Sequence, residues 1–111
     1  MEWSIVYYSS KAHEEIACLS KGIHAKYVAV IDRMVVIGPN IGLPHTRPMG
    51  KGLFEIRLQD DGNIARVFYC TVKNKKIVML HSFNKKTQKT PKHELDIAFK
   101  RLKEIKDHVD S

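Results

Sequence analysis

At 111 residues and 43% hydrophobic content, the chain is long enough to build one folded domain and too short for two, and its composition excludes a disordered chain. Its net charge of +7, from 19 Lys and Arg against 12 Asp and Glu, points toward polyanionic rather than basic partners. No apolar run approaches the roughly 20 residues needed to span a bilayer, and the opening Met1-Glu2-Trp3-Ser4-Ile5 has neither a basic leader nor a small-residue cleavage site, so a membrane or secreted location is not expected.

Residues 2–8, rich in aromatic and β-branched side chains, predict a first strand. Ser9-Ser10 offers an N-cap, and a short helix is expected from about Lys11 to Ser20. Glu14 and Glu15 are read in its first turn, and Gly22 is the residue that stops it. A second helix follows over 23–37, where Ile23, Tyr27, Val30, Ile31, Met34 and Ile37 step by threes and fours onto one face. Residues 38–52 hold four Gly and three Pro and read as a loop. From Leu53 the period changes to two: Phe54, Ile56 and Leu58 point one way, while Glu55, Arg57 and Gln59 point the other. Asp60-Asp61-Gly62-Asn63 marks a tight turn, residues 64–72 a longer strand, Lys73-Asn74-Lys75 another turn, and residues 76–83 a further strand. The short links make these strands an antiparallel meander. The last element is a helix from about Pro91 to His108, with Thr90 as N-cap. Leu95, Ala98, Phe99, Leu102, Ile105 and Val109 form its apolar stripe. The expectation is an α+β domain of order β-α-α-β-β-β-α, with one domain spanning 1–111.

The positive charge is unevenly placed. Residues 1–72 carry 8 basic and 7 acidic side chains, whereas residues 73–106 carry 11 and 3. Such a concentration attracts a polyanion, although a solvated basic helix would look the same. Cys18 and Cys70 lie in apolar surroundings and are expected to be buried free thiols, which fits a cytoplasmic location. No Cys-x-x-Cys, His-Glu-x-x-His or acidic Ca loop is present, so no metal site and no cofactor are expected. What remains are charged residues inside strands. Arg57 and Glu55 share a face, and Arg66 sits in an otherwise apolar stretch. Burial of an arginine is costly unless it meets a carboxylate or a wet cleft. The three residues are therefore either a structural ion-pair network or a cationic groove that clamps a phosphodiester. His81 is read with Met79 and Phe83 on one strand face, as a packed, hydrogen-bonded histidine. Phe68 and Tyr69 are read as core.

Three ordered tracts carry a family likeness. Pro48-Met49-Gly50-Lys51-Gly52-Leu53-Phe54-Glu55-Ile56-Arg57 comes first, then Ala65-Arg66-Val67-Phe68-Tyr69, then Leu80-His81-Ser82-Phe83-Asn84-Lys85-Lys86-Thr87-Gln88-Lys89-Thr90-Pro91. Together they resemble the RelE/HigB toxin superfamily, and more closely the phage-derived HigB-like toxins of type II toxin–antitoxin systems. The resemblance implies a helical hairpin against a small antiparallel sheet. It also implies an endoribonuclease (mRNA interferase) that cuts mRNA at the ribosome by 2′-hydroxyl attack, and a helix-turn-helix antitoxin of the HigA type as partner. It places catalytic basic residues at Arg57, Arg66 and Lys86, with Lys51, Lys85 and Lys89 as supporting phosphate contacts. Glu55 stands where some relatives have a lysine, and would be a base or an orienting group for Arg57. The terminal helix has no tyrosine, which leaves His93 and His108 as stand-ins for a base or stacking group. A basic module that binds RNA or the ribosome without cutting is the alternative.

Overall fold

In β3 (Leu53–Asp60) the two-residue period separates the faces as the sequence requires: Ile56 and Leu58 are fully buried under the helical hairpin, with Phe54 packed beside them. The structure, a computed structural model, describes residues 2–86 and 89–109. Thr87 and Gln88 of the third motif and the side chain of Val109 lie outside the described residues. The other strands are β1 (Ser4–Tyr7), β2 (Thr46–Gly50), β4 (Asn63–Val72) and β5 (Lys76–Asn84), and the helices are α1 (Ser10–Ala17), α2 (Lys21–Ile37) and α3 (Lys92–Val109). They build a mixed α+β fold around one sheet of order β1-β5-β4-β3-β2. β1 runs parallel to β5 and every other pair is antiparallel.

The two faces of the sheet carry different covers. On one, Ile16, Leu19, Ile23, Tyr27, Val30 and Met34 of the hairpin pack on Ile56, Leu58, Val67, Tyr69, Ile77 and Met79. On the other, Ala98 and Leu102 of α3 pack on Leu53, Phe68, Cys70, Val78, Leu80 and Phe83. Phe68 and Tyr69 are both core, as the sequence suggests. α3 is also fastened by polar bonds, from Arg101 Nη1 to the Leu80 carbonyl at 2.7 Å and from Lys106 Nζ to the Thr71 carbonyl at 2.8 Å. Two of the cations that make this helix look like a polyanion-binding surface therefore bond the sheet backbone.

Several local expectations are corrected. Residues 46–50 form a fourth meander strand rather than a loop, because Pro48 lies on an edge strand, where a missing N–H leaves no ladder bond unmade. α1 ends at Ala17 with Cys18 as its cap, so Glu14 and Glu15 fall beyond its first turn; Ser9 does cap it, its hydroxyl accepting from Ala12 N at 3.1 Å. Gly22 sits instead in the first turn of α2, where a Cβ would lie 1.9 Å from Asp60 Oδ2. Cys18 is exposed and only Cys70 is buried. In β5 the ladder steps from Phe68↔His81 to Tyr69↔Met79, which leaves Leu80 as an extra, bulged residue. The bulge shifts the alternation, so Met79 faces the hairpin while His81 and Phe83 face the α3 side. His81 is packed and hydrogen-bonded as expected, its Nε2 3.0 Å from Glu94 Oε1.

Candidate functional site

The register of three neighbouring strands decides where the charges meet. Glu55 pairs directly across from Arg47 on β2, Arg57 follows two residues later on the same strand face, and Arg57 pairs with Arg66 on β4. Two arginines opposite each other in a ladder repel unless an anion lies between them. Glu55 is that anion. It is fully buried; its Oε1 accepts from Arg47 Nε at 3.1 Å and from Arg57 Nη1 at 3.3 Å, and its Oε2 lies 3.7 Å from Arg66 Nε. The last contact is an ion pair too long for a hydrogen bond, and neither of these two buried atoms makes one among the described residues. Arg66 is otherwise held by its Nη1, which donates to the Ala65 carbonyl at 3.1 Å. The strand charges therefore form a structural ion-pair network, and the same side chains line a groove.

That groove is a cavity of about 1020 Å³, lined by Ser20, Arg47, Arg57, Gly62, Asn63, Ile64, Arg66, Asn84, Lys85 and Lys86. Lys85 arrives there because β5 ends at Asn84, the cross-strand partner of Ala65, and the next amide donates to the Ile64 carbonyl at 2.7 Å. Among the described residues, five cationic side chains line the cavity and one carboxylate lies beneath them, leaving a strong excess of positive charge. Burial holds the Arg66 guanidinium below its ordinary value; Glu55 opposes that shift and Arg57 and Arg47 add to it. The Lys85 ammonium is likewise lowered, first by burial and then by Arg66, with Glu55 opposing and Arg57 and Arg47 adding. A guanidinium keeps its proton under such a shift, whereas an amine is brought nearer to releasing one.

The sequence-derived residues thus divide. Arg57, Arg66, Lys85 and Lys86 converge on one cavity. Lys51 does not line it: its ammonium lies 6.0 Å from the centre of the Phe99 ring of α3. The physical reason is strand length, since Leu53, next to the turn that carries Lys51, is four residues from Arg57, about 13 Å of strand. Lys89 and His93 are exposed and do not line the cavity either, and His108 lies in the last turn of α3. Glu55 has no solvent exposure and faces three guanidiniums, an arrangement suited to orienting Arg57 and Arg66 rather than to taking a proton from a bound molecule. The reading by sequence missed Arg47, Asn63 and Asn84. Arg47 lay in a tract taken for a loop, and its one signal is its register opposite Glu55. No group of His, Cys, Asp and Glu among the described residues is arranged to hold a metal ion, and no helix among them is long and apolar enough to cross a membrane.

Comparison with known proteins adds two findings. The model of the phage-derived Gp49-like family (a family otherwise labelled as of unknown function) matches residues 14–103. Among solved structures, the toxin RelE of E. coli, determined in the free state as a double arginine-to-alanine mutant, superposes with a TM-score of 0.66 at 16% sequence identity, covering 92% of this chain and 99% of that one. No curated protein sequence matches. The likeness to the RelE/HigB superfamily read from the three motifs is borne out by both findings, and the fold is that of RelE.

Proposed function

The chain belongs to the phage-derived Gp49-like family, and from that premise and the RelE fold we propose that it is the toxin of a type II toxin–antitoxin pair, a cytoplasmic single-domain endoribonuclease that cleaves mRNA at the ribosome. The observation that carries this reading is the convergence of Arg57, Arg66, Lys85 and Lys86 from three strand segments on one solvent-open cavity. In the proposed reaction the ribose 2′-oxygen attacks the adjacent phosphorus and the 5′-oxygen leaves, giving a 2′,3′-cyclic phosphate and a 5′-hydroxyl. Three things are needed: a group to take the 2′-proton, cations for the charge that builds on the phosphoryl oxygens, and a donor for the departing oxygen.

Arg57 and Arg66 are suited to the second task. They are planar, permanently charged, and fixed by Glu55 before any RNA arrives, so little reorganisation accompanies the reaction. Lys85 is suited to the proton transfers, because its lowered proton affinity lets it exist as an amine more readily than an exposed lysine does. Lys86, exposed at the rim, joins the two arginines as a catalytic cation for the phosphoryl charge. The proposed partner is a helix-turn-helix antitoxin of the HigA type, whose gene would lie beside this one.

The test is growth arrest on induction combined with mapping of transcript 5′ ends. Arg66→Ala and Lys86→Ala are expected to abolish arrest and the new ends, with circular dichroism unchanged. Full toxicity in both variants would refute the assignment. The participation of all three arginines in a structural network favours one other reading, a basic RNA- or ribosome-binding module that blocks translation without cutting. That module would arrest growth while creating no new ends.

A further inference from the structure

A second cavity, of about 340 Å³, opens where the sheet loses its edge. β2 pairs with β3 only as far as Thr46↔Ile56; beyond it the Arg57 amide bonds the His45 carbonyl at 2.8 Å, and the rest of β3 has no β2 neighbour. The space left between that free edge and α2 has an apolar lining from Ala29, Val30, Pro44 and Leu58. Its remaining lining includes Lys26, Arg33 and His45, and no carboxylate residue lines it among the described residues. Arg57 and Arg66 line both cavities, so the two adjoin through these residues.

From this arrangement we infer that the α2 cavity is a nucleotide subsite, which holds the residue next to the scissile phosphate on the same RNA strand. The inference deepens the proposed nuclease reading and rests on it. A nucleobase is a flat, largely apolar plate attached to an anion. A cavity with an apolar lining and cations at its rim matches both halves, and its volume lies at the small end of the roughly 300–1,000 Å³ seen for ligand pockets. An acidic peptide would be served by the cations alone and would leave Val30, Leu58 and Pro44 without a role. Lys26 and Arg33 are both exposed, and stand on α2 seven residues apart, two turns along one helix face. Their spacing, about 10 Å of helix rise, suits contact with a backbone that tracks past the cavity.

The experiment measures binding of 2′-O-methyl oligoribonucleotides, which cannot be cut because the attacking oxygen is blocked, to the full chain. In the wild-type protein a tetranucleotide binds more tightly than a dinucleotide. Lys26→Ala with Arg33→Ala is expected to erase most of that advantage. It should also lower the slope of log affinity against log salt by about 1.4, at about 0.7 per lost phosphate contact on a single strand. Ala29→Phe keeps every charge and fills the cavity from its α2 wall at a small cost in helix propensity; it should shrink the same advantage at least tenfold while leaving the salt slope intact. An undiminished advantage in both variants would overturn the subsite. So would a wild-type protein that binds no oligonucleotide, or an acidic peptide competing for Lys26 and Arg33 while the tetranucleotide ignores them. The two readings fail separately: Arg66→Ala losing cleavage while the α2 variants bind normally sinks the subsite alone, and loss of the length advantage in a chain that never cuts RNA sinks the nuclease alone.

Discussion

Replacing Glu55 with Gln keeps the shape of the side chain and removes the one anion beneath three guanidiniums. Arg47 and Arg57 keep side-chain exposures of 43% and 32%, so water screens their ion pairs and each is worth less than about 1 kcal/mol. Arg66 is different: its side chain is only 7% exposed, so little water screens its charge. Removing the partner of a buried charge costs about 3–5 kcal/mol. Because Glu55 Oε2 and Arg66 Nε stand 3.7 Å apart without a hydrogen bond, the lower end, about 3 kcal/mol, is expected here. In urea unfolding, with a slope of about 1–3 kcal/mol per molar, that loss lowers the midpoint by about 1–3 M. The decisive control is Glu55→Gln combined with Arg66→Met. With Arg66→Met added, no buried charge is left without its partner, and the amide at position 55 can still accept from Arg47 and Arg57, so the double variant should regain most of the midpoint. A single variant as stable as the wild type, or a double variant weaker than the single, would show that Glu55 is not what holds Arg66 in the sheet.

Four further outcomes are expected. Ser9→Ala removes the hydroxyl that accepts from Ala12 N, and should cost about 1 kcal/mol in the same urea assay. A thiol reagent at neutral pH should label Cys18 in the native protein and Cys70 only after unfolding, because Cys70 is buried and burial pushes its thiol up to about 11. Since the folded Lys85 loses its proton before an unfolded lysine does, the unfolded chain binds more protons between the two values, and stability from this group rises as pH climbs through that window toward 10.5. RNA cleavage should show a rising limb in the same direction as the amine form grows, and Lys85→Arg, which cannot deprotonate, should remove the limb; a limb that persists would exclude Lys85 as the proton-transfer group.

What was legible in the sequence follows from what is local. The period of two in Leu53–Asp60 and the 3.6-residue stripes of α2 and α3 depend on neighbours along the chain, and they place Ile56, Leu58, Met34 and Leu102 correctly. Caps and turns are local too: Ser9 caps α1, and Asp61-Gly62 takes positive φ in the two-residue hairpin turn. Registry and bulges are not local. That Arg47 faces Glu55 depends on how β2 slides against β3, and the extra residue at Leu80 depends on β4, so the strand at 46–50 and the facing of His81 were out of reach. The candidate site shows the same division. Glu55, Arg57 and Arg66 stand out as charges within strands, whereas Lys51, Lys85, Lys86 and Lys89 enter through the family resemblance, and of those four only Lys85 and Lys86 reach the cavity.

The position of the groove is a consequence of incomplete cover. α3 is 18 residues long, about 27 Å of helix, and packs on β5 and β4 over Phe68, Cys70, Val78 and Leu80. The same sheet face continues past it along β3 and β4, where the alternation that buries Ile56, Leu58, Val67 and Ala65 beneath the hairpin necessarily turns Arg57 and Arg66 outward. A lone arginine at the buried position 66 would be poorly solvated; sharing the buried Glu55 carboxylate with Arg57 meets that demand. The arrangement also preserves positive charge, because one carboxylate cannot neutralise three guanidiniums. A uniform one-residue slip of β4 on β3 would carry Arg66 under the hairpin and Val67 into the groove, so the register that buries the core and the register that assembles the cationic site are the same constraint.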